Sequence, residues 1–147
     1  MIDVIVAHLV VDDADRAATW YARAFGAVER RRVRVPDGRL MSVELELGAG
    51  MIHLADEFEE LGVLAPPSIG GTATVLALVT DDADAVWERA VGAGADVLQP
   101  LADAFWGERH GQLADPFGHR WNIAQHLRDV PDDELARAAA ATFGGAS

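Results

Sequence analysis

Chemistry in this chain has to come from histidine, carboxylates and arginine, because two of the usual reactive side chains are missing. There is no cysteine, which removes disulfides, thiolate metal ligands and a thiol nucleophile. All twelve basic residues are arginine, so Schiff-base chemistry on a side-chain amine and a phosphate-loop lysine are excluded as well. Of the five histidines, His53 and His110 sit in strand-like runs and have the chemistry of a general base acting on a carbonyl substrate. His110 and Gln112 alternate onto one strand face, and Arg120 and Asn122 onto another. With Trp106 in the loop leading in, these residues read as an aromatic wall beside several hydrogen-bond donors. Against that stand the purely structural readings: Trp121 and Leu113 as core, Arg109 paired with Asp115 or Glu108, and His119 satisfying a turn carbonyl.

The elements that must hold these groups come as a repeat. Leu9-Val10-Val11-Asp12-Asp13-Ala14-Asp15 returns about 69 residues later as Leu78-Val79-Thr80-Asp81-Asp82-Ala83-Asp84, and each copy leads into an amphipathic stretch that ends in Gly26-Ala27 or Gly94-Ala95. A duplication predicts a pseudo-twofold molecule with its site at the seam between the halves. Val4 to Val11 reads as a strand, and Asp12 or Asp13 as the cap of a helix carrying Ala17, Ala18, Tyr21 and Phe25. Three strands follow at Arg30 to Val35, Met41 to Leu47 and Met51 to Ala55. The second half repeats the order with a strand at Thr74 to Thr80, a helix capped by Asp82, and strands at Asp96 to Gln99, Arg109 to Ala114 and Arg120 to Gln125.

The 147 residues, half of them apolar, suit one domain with a sizeable core. Module one is expected at about 3–56, a Pro/Gly-rich connector suited to joining rather than packing at 57–71, and module two at about 72–126. A helix at about 131–143 has no counterpart in module one; its first turn is acidic, and Leu135, Ala138, Ala139 and Phe143 form an apolar stripe. The net charge of −12 argues against nucleic acid and anionic membranes and favours cationic partners at long range. Within it, Arg30-Arg31-Arg32-Val33-Arg34 reads as a solvated strand face. The opening Met1 to Val6 lacks the features of a signal peptide, and no apolar run is long enough to span a bilayer, so a cytoplasmic protein is expected.

The two strand-helix-strand-strand-strand modules, the Leu-x-Val-x-Asp entry to the first helix and the closing Asp115-Pro116-Phe117-Gly118-His119-Arg120-Trp121 together resemble the vicinal oxygen chelate superfamily. That group includes glyoxalase I, extradiol dioxygenases and the bleomycin- and fosfomycin-resistance proteins. The resemblance runs over residues 3 to 126, and Phe105-Trp106-Gly107-Glu108-Arg109-His110-Gly111 is similar to one large branch of it. It implies an α+β fold in which two βαβββ modules form an incompletely closed eight-stranded barrel-like sheet, with the C-terminal helix as an addition, and it implies a homodimer. It also implies where a metal would be held in metal-dependent members: a first-strand and a last-strand position in each module, which fall on Val6, His53, Val75 and Asn122.

Valine has no lone pair, and a neutral amide with one imidazole does not make a zinc, nickel or iron site. The chain is therefore expected to use no metal or other cofactor, and to be similar to the metal-free drug-binding members, whose cavity sequesters a small molecule. The residues expected to bind that ligand are Val6, His8, His53, Val75, Trp106, His110, Gln112, Arg120 and Asn122, with the cavity in one chain or between two. Its charge and Trp106 predict an aromatic, neutral-to-cationic ligand. The alternative is a lyase, isomerase or dioxygenase acting on a small carbonyl or aromatic substrate. It would work through histidine alone or through a displaced metal on His8, His53 and Glu44 or Glu46, since alternation puts His8 on the face of Val6.

Overall fold

Local capping starts and stops the first helix, α1 (Ala14–Phe25), and tertiary packing orients it. The Asp13 side chain accepts from Arg16 N–H at 3.0 Å, satisfying one of the unpaired amides of the first turn. Gly26 ends the helix at φ 71°, with its N–H returned to Ala22 O, the left-handed conformation that glycine adopts without a Cβ penalty. The inward face, Ala17, Ala18, Tyr21 and Ala24, is buried. Helix α3 (Ala83–Gly92) begins the same way, with Asp82 accepting from Ala85 N–H at 3.1 Å. The repeat extends to side chains that the sequence does not align by type. Asp56 Oδ1 accepts Ala14 N–H at 2.7 Å, and Gln125 Oε1, at the equivalent place, accepts Ala83 N–H at 2.9 Å. With Asp56 still on the first turn, Asp13→Ala is expected to cost only about 1 kcal/mol, read as a lowered urea midpoint at unchanged slope.

The computed structural model describes residues 1–144 and has an α+β fold. Strands β1 (Ala7–Val10), β2 (Val28–Arg34), β3 (Leu40–Leu47) and β4 (Gly50–Ala55) form one sheet in the order β1-β4-β3-β2. Strands β5 (Val75–Val79), β6 (Asp96–Asp103), β7 (Glu108–Ala114) and β8 (Arg120–His126) form the second in the order β5-β8-β7-β6. Each sheet has a parallel β1·β4 or β5·β8 pair and is otherwise antiparallel. The eight strands thus make two βαβββ modules, and the two sheets do not join into a closed barrel. A C-terminal helix, α4 (Asp132–Phe143), follows; its apolar stripe is only partly covered, and Phe143 is 80% exposed. No helix among the described residues is long and apolar enough to cross a membrane.

One core spans both modules, because α1 and α3 lie against each other. Trp20 Nε1 donates to Ala93 O at 2.8 Å, and Arg89 Nε donates to Arg23 O at 2.6 Å. Each helix thereby supplies a donor to the C-terminal carbonyls of the other, where the helix dipole favours it. Tyr21 reaches across to Asp115, and His119 Nε2 donates to Val10 O at 2.8 Å.

Four sequence expectations change here. Strand β1 starts at Ala7 rather than Val4. Strand β6 continues through Pro100 to Asp103, which an edge strand permits because its outer amides need no partner. The connector is not a bare linker: Ala65 and Pro66 are buried, the short helix α2 (Pro66–Ile69) forms within it, and Glu57 accepts Ala65 N–H at 2.8 Å. Arg109 pairs with Asp84 and Asp103 at 3.0 and 2.9 Å, not with Asp115 or Glu108, because strand alternation turns it toward α3. The Arg30–Arg34 run is a solvated strand edge, paired with Glu46, Glu29 and Asp15, and such exposed pairs stabilise little.

Candidate functional site

The period-2 alternation of each sheet separates a helix-facing side from an open side. In sheet one Leu9, Val43, Leu45, Ile52 and Leu54 point into the core, so His8, Glu44 and His53 lie on the open side. Register brings these three into one row, His8 opposite His53 and His53 opposite Glu44. The imidazole rings are 4.6 Å apart and tilted by 55°. In sheet two Leu113, Trp121 and Ile123 are core, and the open side carries His110, Gln112, Arg120 and Asn122. There Gln112 Nε2 donates to Asn122 Oδ1 at 2.9 Å, and Arg120 Nη2 donates to Gln112 Oε1. Trp106, 37% exposed, is pinned by a 2.6 Å bond from Nε1 to Glu108 and meets His110 edge-on at 5.1 Å.

Two of the nine expected residues are displaced. Counting from the helix entry singles out Val6 and Val75, yet Val6 precedes β1, and the residues opposite His53 and Asn122 are His8 and Ala77. Val75 pairs with Arg120 instead and is 37% exposed. In both modules the facing residue lies two positions beyond the valine, an offset set by the parallel register of β1 on β4 and of β5 on β8, which motif spacing along one strand does not carry. His8 and Arg120, on different modules, line one cavity of about 330 Å³ together with His119, Thr72, Thr74 and connector residues including Pro66. Strand edges β1 and β5 both border it, each hydrogen-bonded on one side only. His53, Trp106, His110, Gln112 and Asn122 do not line this cavity. The connector wall and His119 were missed at the sequence level. A double proline opening a helix in an otherwise linker-like stretch was the available signal.

These side chains do not fit a transition-metal centre fed by both modules. Module two offers Ala77, Val75 and an asparagine whose oxygen already accepts from Gln112. Among the described residues no three His, Asp or Glu side chains gather in a metal-holding arrangement.

Known proteins give the same architecture. Over 141 residues the chain is 41% identical to an uncharacterized protein of Mycobacterium bovis, covering 94% of this chain and 93% of that relative. The crystal structure of TioX from Micromonospora sp. ML1 is 31% identical, covers 86% of this chain and 100% of its own, and superposes with a TM-score of 0.68. TnmS3, described as an antibiotic binding protein from Streptomyces sp. CB03234, shares the fold at 22% identity and a TM-score of 0.64, over 86% of this chain and 97% of its own. The model of the Glyoxalase/Bleomycin resistance protein/Dioxygenase superfamily matches residues 2–123, which takes in both repeats, both open sheet faces and the Asp-Pro-Phe-Gly turn. By that match and by its two βαβββ modules, the chain belongs to the glyoxalase/bleomycin resistance/dioxygenase superfamily.

Proposed function

We propose that this chain is a metal-independent small-molecule-binding protein that sequesters its ligand, and that it works as a homodimer. The observation carrying the first part is the occupancy of module two: the positions facing Asn122 are alanine and glutamine, and the amides bond each other. An amide pair presents N–H donors and carbonyl acceptors to a ligand, but it has neither the negative charge nor the nitrogen or thiolate donors that hold a transition metal. His8 and Arg120 then orient a small molecule against the apolar lining of the seam, and His53, Trp106, His110, Gln112 and Asn122 offer polar and aromatic groups on the open sheet faces beyond it. The antibiotic-binding description of TnmS3 lends a precedent on the same fold.

The dimer is supported by apolar side chains left exposed on free strand edges and the N-terminal arm. Val79 is 74% exposed, and Ile2, Val4 and Ile5 are each more than 70% exposed. A second copy covering those edges and the arm would remove that area from water. Light scattering should give twice the chain mass.

Elemental analysis of untagged protein tests the metal-independent reading. Substoichiometric metal, unaffected by His53→Ala, is the expected result. Stoichiometric zinc, nickel, manganese or iron that disappears on His53→Ala would overturn it, and would favour an enzyme using the His8, His53 and Glu44 row.

A further inference from the structure

We propose that the 330 Å³ cavity at the module seam binds a small organic carboxylate, and that Arg120 is the cation that receives it. The inference rests on the ligand-binding reading above and assigns the ligand class.

Arg120 stands apart from the other arginines. Seven of them form ion pairs with carboxylates. Arg23 and Arg89 bond helix-end carbonyls, and the Arg16 guanidinium lies over the Phe117 ring at 5.2 Å. Arg31 is exposed. Arg120 is partly buried, and its one side-chain bond is to the neutral Gln112 carbonyl. Among the described residues its Nε is the buried side-chain polar atom without a partner, and Arg120 takes part in none of the ion pairs. A guanidinium drawn out of water without a counter-charge is costly, and a planar fork of N–H donors matches a carboxylate in two parallel bonds. In a chain with twice as many acidic as basic residues, 24 against 12, a guanidinium that lines a cavity with a buried, unbonded Nε and no counter-charge creates a place for an anion from outside.

The surroundings narrow the ligand further. Thr72, Thr74 and His8 line the cavity with Arg120 as polar groups, while Leu64, Ile69 and Leu76 supply apolar wall. His119 is committed through Nε2 to Val10 O. The volume is at the lower end of ligand pockets, about 300–1,000 Å³, which suits a compact acid with an apolar body. The net charge of −12 repels a dianion more strongly than a monoanion, so a carboxylate is favoured over a phosphate. The long-range field and the cavity therefore select differently: the field sets how often an anion arrives, and Arg120 sets whether it stays.

Matched acids and amides decide it. Titration calorimetry with phenylacetate and hexanoate against phenylacetamide and hexanamide, with phenylphosphonate as a third arm, should show the acids binding at least tenfold more tightly than their amides. Arg120→Gln should erase that difference, and Arg120→Lys should restore part of it. Backbone amide shifts of the unaltered protein titrated with phenylacetate should cluster at Thr72, Thr74, Leu76 and His119, a readout that does not depend on any variant folding. Equal binding of acid and amide, tighter binding of the phosphonate, or shifts centred on the Arg31 edge would overturn the carboxylate assignment. If neutral or cationic aromatics bind and the acids do not, the carboxylate assignment fails while the ligand-binding reading stands. No binding by any of these compounds would overturn both.

Discussion

Asp115→Ala is expected to lower the unfolding free energy by about 3–5 kcal/mol, enough to remove much of the stability of an ordinary domain, about 5–15 kcal/mol. The carboxylate is 4% exposed and accepts four hydrogen bonds. One oxygen takes Phe117 N–H and His119 N–H at 2.9 and 3.0 Å, and the other takes Trp121 Nε1 at 2.9 Å and the Tyr21 hydroxyl. Alanine leaves all four donors buried without an acceptor, and each such donor costs its full desolvation. The Tyr21 bond also crosses from α1 of module one to the turn of module two, so the loss falls on the joint between halves. Burial first, and the adjacent Asp115 charge second, push the Tyr21 phenol well above its ordinary pKa, which keeps it a donor. Tyr21→Phe should cost about 1.5–3 kcal/mol, the range for a bond to a charged group. Combined with Asp115→Ala, it should add much less than it does alone, since the partner is already gone. An Asp115→Ala midpoint shift worth under about 1 kcal/mol, within the range of ordinary surface changes, would show that water replaces the carboxylate.

Turn-and-cap chemistry explains why so much of the fold could be read in advance. Asp13, Gly26 and Asp82 act within three or four residues of themselves, so their types alone locate helix ends. The resemblance places candidate positions at His53 and Asn122, and both sit on the open sides of their sheets. Long-range register was not legible. That His8 rather than Val6 faces His53 depends on how β1 slides against β4, and a slip of two residues preserves the face while changing every neighbour. Asp115 looked like an ordinary Asp-Pro-x-Gly turn residue, because the two rings that bury it belong to α1 and β8. The unpaired state of Arg120 is likewise a statement about what is not nearby, which only three-dimensional neighbours reveal. Net charge sums the surface and carries no account of one cavity, so it bears on how often a ligand arrives rather than on which ligand the cavity keeps.

Gly107→Ala is expected to destabilise the protein by about 2–4 kcal/mol, combining backbone strain with overpacking. Gly107 has φ +89°, and a Cβ there would lie 2.2 Å from Arg128 O and 2.9 Å from Val130 Cγ2. The carbonyl of Gly107 also accepts from Leu127 and Arg128 N–H at 2.8 and 3.1 Å, so the turn and the chain leaving β8 are held face to face and neither can yield cheaply. Gly38→Ala separates the two contributions: its φ is +98°, yet a Cβ there meets nothing within 4 Å, so only strain remains, about 1–2 kcal/mol. The difference between the two variants measures the steric part. Trp106 precedes Gly107 and depends on the same turn for its bond to Glu108, so Gly107→Ala should also redden and weaken tryptophan emission as the indole loosens into water. Equal destabilisation by Gly107→Ala and Gly38→Ala, with unchanged emission, would mean that the 127–130 segment moves aside freely and that the Trp106 wall is not held by it.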